Sequence, residues 1–197
     1  MKRRIAFFDF DGTVTTKDSL LEFLLFKFGK SKTYLNLLLV SPYYILHKLK
    51  LIPVQFAKER VLRRFFKNTP VEAFESSCKE YCTSVMPSLI RKKALHEFEL
   101  LQEKGATIVI VSASAEDWIR PWADPLGVAV VATKLQVVNG KITGRIKGKN
   151  CRDKEKVDRI NQAYDLSEWD EIYGYGDTKS DKPMLELATF VFYKPFR

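Results

Sequence analysis

The sequence is poor in the residues that cross-link small secreted proteins or bind soft metal ions. Its 197 residues include only three cysteines and two histidines. Three cysteines are too few for a disulfide scaffold, and their spacing does not match a zinc finger. Residues 1–4 run straight into an apolar segment without a secretory signal. We therefore expect reduced cysteines and a cytoplasmic protein.

The sequence also lacks a convincing membrane span. The most apolar stretch, residues 34–52, is interrupted by Asn36, Pro42, His47 and two lysines, whereas a span needs about 20 nearly uncharged residues. Two interpretations of this stretch stay open. It is either a pair of core helices or an interfacial hairpin, whose aromatic and lysine side chains would lie at the headgroup level of an anionic membrane on its cytoplasmic face.

Basic residues outnumber acidic ones by 33 to 24, which gives a formal charge of +9. This excess favours polyanionic partners, among them a phosphorylated substrate, anionic lipid and nucleic acid. Nucleic acid is disfavoured because the sequence carries no RNA-binding signature. With 46% hydrophobic and 29% charged residues, the composition is that of an ordinary globular chain, and it gives no signal of oligomeric state.

Short apolar runs alternate with helix-like stretches along most of the chain. The strand-like runs are residues 4–10, 107–112, 128–132, 171–176 and 190–193. The helix-like stretches include residues 87–104, 117–126, 154–164 and 182–187. Strands that alternate with helices predict an α/β fold with a parallel sheet covered on both faces.

Two segments break this alternation. Residues 134–146 place Asn139-Gly140 between two β-prone runs, and this dipeptide favours the tight turn of a β-hairpin. Residues 16–85 look entirely helical, with helix boundaries expected at three prolines, Pro42, Pro53 and Pro70. We therefore predict an α/β core formed by residues 1–15 and 86–197, interrupted by an inserted helical lobe.

Four carboxylates follow two of the predicted strands. Asp9 and Asp11 come at the end of the first strand, and Asp177 and Asp181 follow the strand at residues 171–176. Ligands of open parallel sheets bind at the carboxyl ends of the strands, so neighbouring strands would bring these carboxylates together. Such a cluster repels itself unless it holds a cation, and an all-oxygen set favours Mg²⁺ over zinc.

A hydroxyl group and a lysine complete the predicted site. Ser112 ends the second strand, where its hydroxyl and the free backbone N–H groups beside it, such as that of Ala113, can hold a phosphate oxygen. The ammonium of Lys156 can neutralise both a carboxylate and a phosphate. Lys149 and Lys154 are alternatives for this role.

Together these residues resemble the four motifs of the haloacid dehalogenase superfamily. The segment Asp9-Phe10-Asp11-Gly12-Thr13 resembles the first motif, Ser112 the second, Lys156 the third and residues 176–181 the fourth. Cys151 and Lys156 are similar to a Cys-x-Gly-x-x-Lys pattern of one subgroup, with Asp153 in place of the glycine. The resemblance spans nearly the whole chain, with the motifs in the expected order.

The resemblance implies a Rossmann-like three-layer αβα core with a parallel sheet. It also implies that residues 16–85 form a helical cap of the C1 type, inserted after the first motif and accompanied by the β-hairpin. These two additions are similar to those of the phosphoserine-phosphatase-like subgroup, subfamily IB.

The same resemblance implies a mechanism. Asp9 would attack phosphorus to form an aspartyl-phosphate, and Asp11 would act as general acid and then as general base. Mg²⁺ would be held by Asp9, by the backbone carbonyl of Asp11 and by Asp177, with Asp181 close by. The groups expected to contact the substrate phosphate are those of Gly12, Ser112, Ala113 and Lys156.

The substrate stays open between a phospholipid phosphate and a small phosphomonoester. Asp18 stands where phosphoserine phosphatases usually carry a glutamate, which makes it a candidate specificity residue. Candidates for binding a substrate carboxylate are Arg60, Arg63 and Arg64. The apolar stretch and residues 174–185 are closer to phosphatidylglycerophosphate-phosphatase-like members.

Three alternative functions also stay open. Two share the predicted fold: a phosphoserine phosphatase and a phosphotransferase that passes the phosphoryl group to a second substrate. The third belongs to another class, a non-catalytic module whose basic surface binds anionic lipid or nucleic acid.

Overall fold

The structure is a computed structural model that describes residues 2–197, so Met1 of the predicted core lies outside the described residues. Its strands are β1 (Arg4–Phe8), β2 (Thr69–Pro70), β3 (Ala106–Ala115), β4 (Ala129–Thr133), β5 (Leu135–Val138), β6 (Lys141–Ile146), β7 (Glu171–Gly176) and β8 (Phe190–Tyr193). Its α-helices are α1 (Ser19–Phe28), α2 (Lys30–Lys48), α3 (Val54–Phe66), α4 (Val71–Ser84), α5 (Met86–Leu89), α6 (Lys92–Glu103), α7 (Arg120–Ala123), α8 (Lys154–Ala163) and α9 (Lys182–Leu185).

Five strands form a parallel sheet in the order β4-β3-β1-β7-β8. The central strand β1 is almost entirely apolar, as expected for a strand buried on both faces. Its Phe8 lies beside Ile110 of β3 on one side and beside Tyr175 of β7 on the other. The ends of β1, β3 and β7 therefore meet at one edge of the sheet.

Helices cover both faces of this sheet. Successive side chains of a strand point to opposite faces, so Phe8 and Phe7 pack in different layers. Phe8 packs edge-to-face on Phe98 of α6, with ring centroids 4.6 Å apart. Phe7 shares a second core cluster with Ile160 of α8 and Met184 of α9. The predicted three-layer αβα fold with a parallel sheet is confirmed.

The hairpin of β5 and β6 turns at Asn139-Gly140, as predicted, with positive φ values of 49° and 69°. The expectation that residues 16–85 are entirely helical is wrong at one point, because β2 pairs antiparallel with β6. Backbone amides on either side of β2 donate to the hairpin, Asn68 to the carbonyl of Ile142 and Val71 to that of Gly140. This pairing covers polar backbone groups that an edge strand leaves open.

The expected helix boundary at Pro42 is wrong, because α2 continues through this proline. Proline has no amide proton for the carbonyl four residues before it, which here belongs to Leu38. The Ser41 hydroxyl donates to that carbonyl at 2.8 Å and takes over the missing bond. Residues 34–52 therefore contain one long helix rather than a helix pair or hairpin. Pro53 and Pro70 do precede α3 and α4, as predicted.

The helix predicted over residues 117–126 is broken into three short turns, Glu116–Trp118, α7 and Asp124–Leu126. Pro121 and Pro125 each remove an amide donor, which prevents a continuous helix. Among residues 2–197, no helix combines the length and apolar character needed to cross a membrane. We keep the division into a core and a cap as an interpretation, with α1 to α4 forming the cap.

Candidate active site

Three carboxylates meet at the carboxyl ends of β1 and β7. Asp9 directly follows β1, and its amide donates to the carbonyl of Tyr175 at 2.8 Å, which continues the pairing of the two strands. Asp177 directly follows β7. Each of Asp9, Asp177 and Asp181 offers a carboxylate oxygen within 4.8 Å of the others, and all three side chains are buried. The structure therefore brings together three of the four predicted carboxylates.

Lys156 is the lysine that reaches this cluster. It lies in the first turn of α8, is only 1% exposed, and donates to Asp9 Oδ1 at 2.6 Å and to Asp181 Oδ1 at 2.7 Å. Burial by itself would lower the pKa of Lys156, but the two carboxylates outweigh it and raise that pKa. Lys154 is exposed, and Lys149 is an exposed residue 3.8 Å from Glu155.

The turn before α8 explains the glycine of the resembled third motif. Asp153 occupies that position with φ +51° and ψ −127°, outside the left-handed helical region that aspartate and asparagine tolerate and in backbone space that strongly favours glycine. Lys156 follows three residues later, and its amide donates to the carbonyl of Asp153 at 3.2 Å. Aspartate therefore makes the turn that glycine would make, but with backbone strain that glycine would not have.

Asp181 holds the cluster in place. Its Oδ2 accepts from the amide and hydroxyl of Thr178 at 2.9 and 2.7 Å, while Oδ1 accepts from Lys156. Burial opposes ionisation, yet Lys156 and the Thr178 donors keep the pKa of Asp181 below its usual value. Both oxygens are thus engaged, so Asp181 positions Lys156 and the loop after β7.

Burial and the neighbouring charge of Lys156 act in opposite directions on the ionisation of Asp9. Burial raises its pKa to about 7, against the opposing effect of Lys156, and the neighbouring charge of Asp181 adds to the rise. Its Oδ2 accepts from the Thr13 hydroxyl at 3.2 Å. A further cation beside Asp9 would lower this pKa and favour the ionised form.

Asp11 does not join the cluster, so the expectation that up to four carboxylates converge is wrong. Its oxygens accept from the Ser19 amide at 2.6 Å and from the Ser114 hydroxyl at 2.5 Å, which direct it toward the start of α1. Burial, aided by the negative charge of Asp18, raises the pKa of Asp11. A carboxyl group with a raised pKa is suited to donating a proton.

The last residues of β3, where its pairing with β4 is irregular, include the predicted phosphate-binding groups. Ser112 is fully buried and its hydroxyl accepts from the Ser114 amide at 3.0 Å. Ser19 and Ser114 were not predicted, although both lie beside residues that the motifs select. Their hydroxyls lie 3.1 Å apart and connect Asp11 to the indole of Trp118.

Gly12 and Asp18 each have a structural role in this site. Gly12 has φ +87°, and a Cβ at this position would lie 2.7 Å from Asp177 Oδ2. Its amide donates to the Thr15 hydroxyl at 3.2 Å. The carboxylate of Asp18 accepts from the Leu21 amide at 2.8 Å and thereby caps α1.

Lys58 of α3 is a site residue that the sequence did not reveal. Its ammonium donates to the carbonyl of Ala113 at 2.5 Å and to the Asn150 side chain at 3.2 Å. Burial lowers its pKa to about 8, although Asp11 and Asp18 oppose this. In the sequence Lys58 only begins a basic run, and its contact depends on how α3 packs against the core.

The three candidate arginines have their contacts elsewhere. The Arg60 guanidinium lies over the rings of Phe56 and Tyr43. Arg64 donates to the side chain of Asn36 at 2.5 Å. Arg63 packs against the hairpin, where its Cα would lie 2.4 Å from a Cβ at Gly144.

The carboxylate cluster fits Mg²⁺ by its chemistry. Three carboxylates face two cationic groups, the Lys156 ammonium and the Arg197 guanidinium, which still leaves a local excess of negative charge. The donor atoms are hard oxygens, which suit Mg²⁺. The guanidinium of Arg197 already pairs with Asp177 Oδ2, so a metal ion bound to this oxygen would take the place of that guanidinium. The backbone of Gly12 lies so close to the carboxylate of Asp177 that only a residue without a side chain fits there.

The three-layer αβα fold, with an acidic site at the carboxyl ends of its parallel strands, defines a Rossmann-like α/β enzyme. More specifically, the chain belongs to the haloacid dehalogenase-like hydrolase family, whose profile matches residues 6–186. It is 33% identical to Protein CicA of Caulobacter vibrioides over 198 residues, which cover 96% of this chain and 85% of CicA. It is 28% identical over 195 residues to the Probable phosphatase Rv3661 of Mycobacterium tuberculosis, with 94% and 67% coverage.

A solved structure shares the fold. A phosphoserine phosphohydrolase-like protein from Francisella tularensis superposes with a TM-score of 0.68 at 20% identity, covering 96% of this chain and 94% of that protein. The chain is thus a phosphatase-type hydrolase with phosphoserine-phosphatase-like structural neighbours, as the motifs indicated.

Proposed function

We propose that the protein is a Mg²⁺-dependent phosphomonoester hydrolase that acts through an aspartyl-phosphate on Asp9. The observation that carries this proposal is the buried bridge from Lys156 to Asp9 and Asp181, beside Asp177. A lysine and a cation site on one carboxylate offset the charge of a transferring phosphoryl group, which is the main task of an enzyme in this chemistry.

In the first step, a carboxylate oxygen of Asp9 bonds to phosphorus while the ester P–O bond breaks. Asp11 gives its proton to the leaving alkoxide, and its raised pKa supports this role. In the second step, Asp11 takes a proton from water, which attacks phosphorus and releases phosphate from Asp9. Splitting the displacement in this way replaces one difficult step by two easier ones.

The remaining groups hold the phosphate and the metal. Mg²⁺ would be held by the carboxylates of Asp9 and Asp177 and by the backbone carbonyl of Asp11, and would supply charge neutralisation to the phosphoryl group. The hydroxyl of Ser112, the amide of Ala113 and the ammonium of Lys156 would contact the phosphate oxygens. Gly12 would let the first-motif backbone approach Asp177 closely.

We infer that the substrate is a phospholipid phosphate, as in phosphatidylglycerophosphate-phosphatase-like members of the phosphoserine-phosphatase-like subgroup. The exposed apolar side of α2 supports an amphiphilic substrate at the cytoplasmic face of a membrane. The capping bond of Asp18 speaks against phosphoserine, because this carboxylate already serves the amide of Leu21. A small phosphomonoester is the second candidate.

The test is phosphate release in Mg²⁺ and in EDTA, with small phosphomonoesters and with short-chain phosphatidylglycerophosphate. We expect Mg²⁺-dependent release that Asp9→Asn abolishes and that the exposed control Asp124→Asn retains. Faster turnover of the lipid would support the substrate inference. Transfer to an added alcohol instead of water would indicate a phosphotransferase, and the absence of turnover with every substrate would favour a binding module.

A further inference from the structure

A basic cavity lies between α3 and the hairpin, apart from the residues of the candidate active site. It has a volume of about 490 Å³. Its lining includes four cationic side chains and, among residues 2–197, no acidic one; the cations are Arg63, Lys67, Lys141 and Arg145. Within the described part of the chain, none of the four forms an ion pair.

Four unpaired cations around one concavity repel one another and focus a positive potential into it. Neutral hydrogen-bonding side chains, those of Asn68, Gln136 and Thr143 among them, also line the cavity. Cations together with such groups match the chemistry of phosphate oxygens. The cavity is therefore equipped to receive phosphate groups from outside the chain.

The basic surface continues along α3 to α2. Residues 56, 60 and 63 are spaced by four and three positions, which places them on one side of α3, and Lys67 directly follows the last residue of this helix. At the far end of this row, the Arg60 guanidinium lies 4.3 Å from the ring centre of Phe56 and 5.1 Å from that of Tyr43 in α2. Cations and aromatic rings thus connect the cavity to α2.

The adjoining side of α2 exposes large apolar side chains. Leu39 lies one turn before Tyr43 and is 55% exposed. Beside it, Leu35, Leu38 and Ile45 form a row at helical spacing, and each is more than half exposed. Lysines stand at both ends of the helix, at positions 30, 32, 48 and 50. A contiguous exposed apolar patch of this kind marks an interaction site.

We propose that the basic cavity and the apolar row of α2 form one docking surface for an anionic phospholipid bilayer. Lipid phosphate groups would occupy the cavity, while the leucines enter the acyl boundary and the lysines stay at headgroup level. This inference deepens the proposed lipid-phosphate function, although docking itself requires no catalysis.

The charge and shape of the surface favour a bilayer over other occupants. Nucleic acid would pair with the cations but leave the leucines of α2 in water. A second copy of the chain would bring two positively charged cavities together, which is unfavourable. An anionic bilayer matches both the basic cavity and the apolar row of α2, since it offers phosphate groups beside a hydrocarbon boundary.

The test is co-sedimentation with vesicles of phosphatidylcholine and phosphatidylglycerol, compared with pure phosphatidylcholine. We expect binding to the anionic vesicles, weakened by salt because exposed charges are screened beyond about 10 Å at 0.1 M. Lys67→Glu/Lys141→Glu/Arg145→Glu should weaken it by at least about tenfold. Leu35→Gln/Leu38→Gln/Ile45→Gln should do the same by removing apolar area.

Each of the two docking variants has a control variant with substitutions at exposed positions of the α/β core. Lys92→Glu/Lys93→Glu/Lys104→Glu changes the net charge equally at exposed positions, and Leu100→Gln/Leu126→Gln removes exposed leucines. Both controls should bind like the wild type. Hydrolysis of soluble p-nitrophenyl phosphate should be unchanged in all four variants, which shows that the fold is intact.

Several outcomes would overturn the proposal. One is equal vesicle binding by the docking variants and the wild type. Another is that a single-stranded oligonucleotide binds through the same cations while vesicles do not bind. The third is that the protein forms a dimer, which dissociates when the α2 leucines are replaced. Vesicle binding by a chain that hydrolyses no phosphomonoester would instead reject the proposed function and leave docking supported.

Discussion

The ammonium of Lys156 lies 2.6 Å from Oδ1 of Asp9, so the carboxylate proposed to attack phosphorus forms an ion pair with a buried cation. The same ammonium lies 2.7 Å from Asp181, which is fixed by Thr178 on its other oxygen. One lysine therefore balances two buried carboxylates that lie in the segments following β1 and β7. Its contribution to stability and its contribution to catalysis can be separated experimentally.

Lys156→Met should lower the free energy of unfolding by about 3–5 kcal/mol, because it leaves two buried carboxylates without their cation. It should also abolish phosphate release. Urea denaturation at neutral pH measures the first effect. The double variant Lys156→Met/Asp181→Asn should recover part of the stability without recovering activity, whereas a loss below about 1 kcal/mol in the single variant would contradict a buried ion pair.

The parallel sheet and the placement of Asp9 and Asp177 at its carboxyl edge were predictable because they depend on local patterns, whereas the pairing of β1 with β7 that brings the two together is not local. A buried strand such as β1 is a short apolar run, and a carboxylate that follows it must lie at the sheet edge. The hairpin was predictable for a similar reason, since Asn139-Gly140 supplies two positive φ angles. Each of these predictions used residues close together in the sequence.

Other features depend on contacts that no local pattern records. Nothing in a proline indicates that Ser41 will supply the bond lost at Pro42. The direction of Asp11 depends on Ser114, which lies 103 positions away in the chain. Lys58 reaches Ala113 only because α3 packs beside the end of β3. These contacts lie within the cap, within the core and between the two, and the sequence pattern of the cap shows only helical periodicity.

Lys58→Met should lower kcat/KM for p-nitrophenyl phosphate by about ten- to a hundredfold, because it removes a charged hydrogen bond to the end of β3, which we propose to bind phosphate. Burial lowers the pKa of Lys58 to about 8. Wild-type kcat/KM should therefore fall as the pH rises through about 8 and the ammonium loses its proton. Lys58→Met should lack this alkaline limb, and Lys154→Met should keep it; the same limb in both variants would contradict the assignment.

Glu171 should make stability sensitive to acid. Hydrogen bonds from Lys2 and Arg4 lower its pKa to about 2, below the value near 4.3 expected in the unfolded chain. Its stabilising effect is therefore complete above the unfolded value and is lost as the pH falls toward 2. Thermal unfolding between about pH 6 and pH 3 should show a smaller loss of Tm in Glu171→Gln than in the wild type or in the exposed control Glu103→Gln.

Gly12→Ala should weaken the metal site. The added Cβ would lie 2.7 Å from Asp177 Oδ2, so this carboxylate must move. We expect the Mg²⁺ concentration for half-maximal activity to rise about 10–100-fold, the effect usual for disturbing groups that orient a metal ligand. Gly127→Ala is the matched control, with φ +66° and open space around its Cβ. An unchanged Mg²⁺ requirement in Gly12→Ala would exclude Asp177 as a ligand.

Asp11→Asn should affect substrates according to their leaving groups. An alkyl phosphate needs a proton on its departing oxygen, so its turnover should fall by about 10²–10⁴-fold. The p-nitrophenolate anion departs without that proton, and the aspartyl-phosphate should still form. Because the second step also needs Asp11, this variant should release one equivalent of p-nitrophenol in a burst and then turn over slowly.

Rapid-quench kinetics measures that burst, and intact-protein mass spectrometry detects the trapped phosphoryl group. Asp124→Asn, an exposed substitution of the same kind, should behave as the wild type, without a burst. The expectation depends on the position of Asp11, which Ser19 and Ser114 hold away from the three-carboxylate cluster. Equal losses for both substrates without a burst would mean that Asp11 supports the first-motif backbone and transfers no proton. In that case the general acid must be sought among other groups near the start of α1.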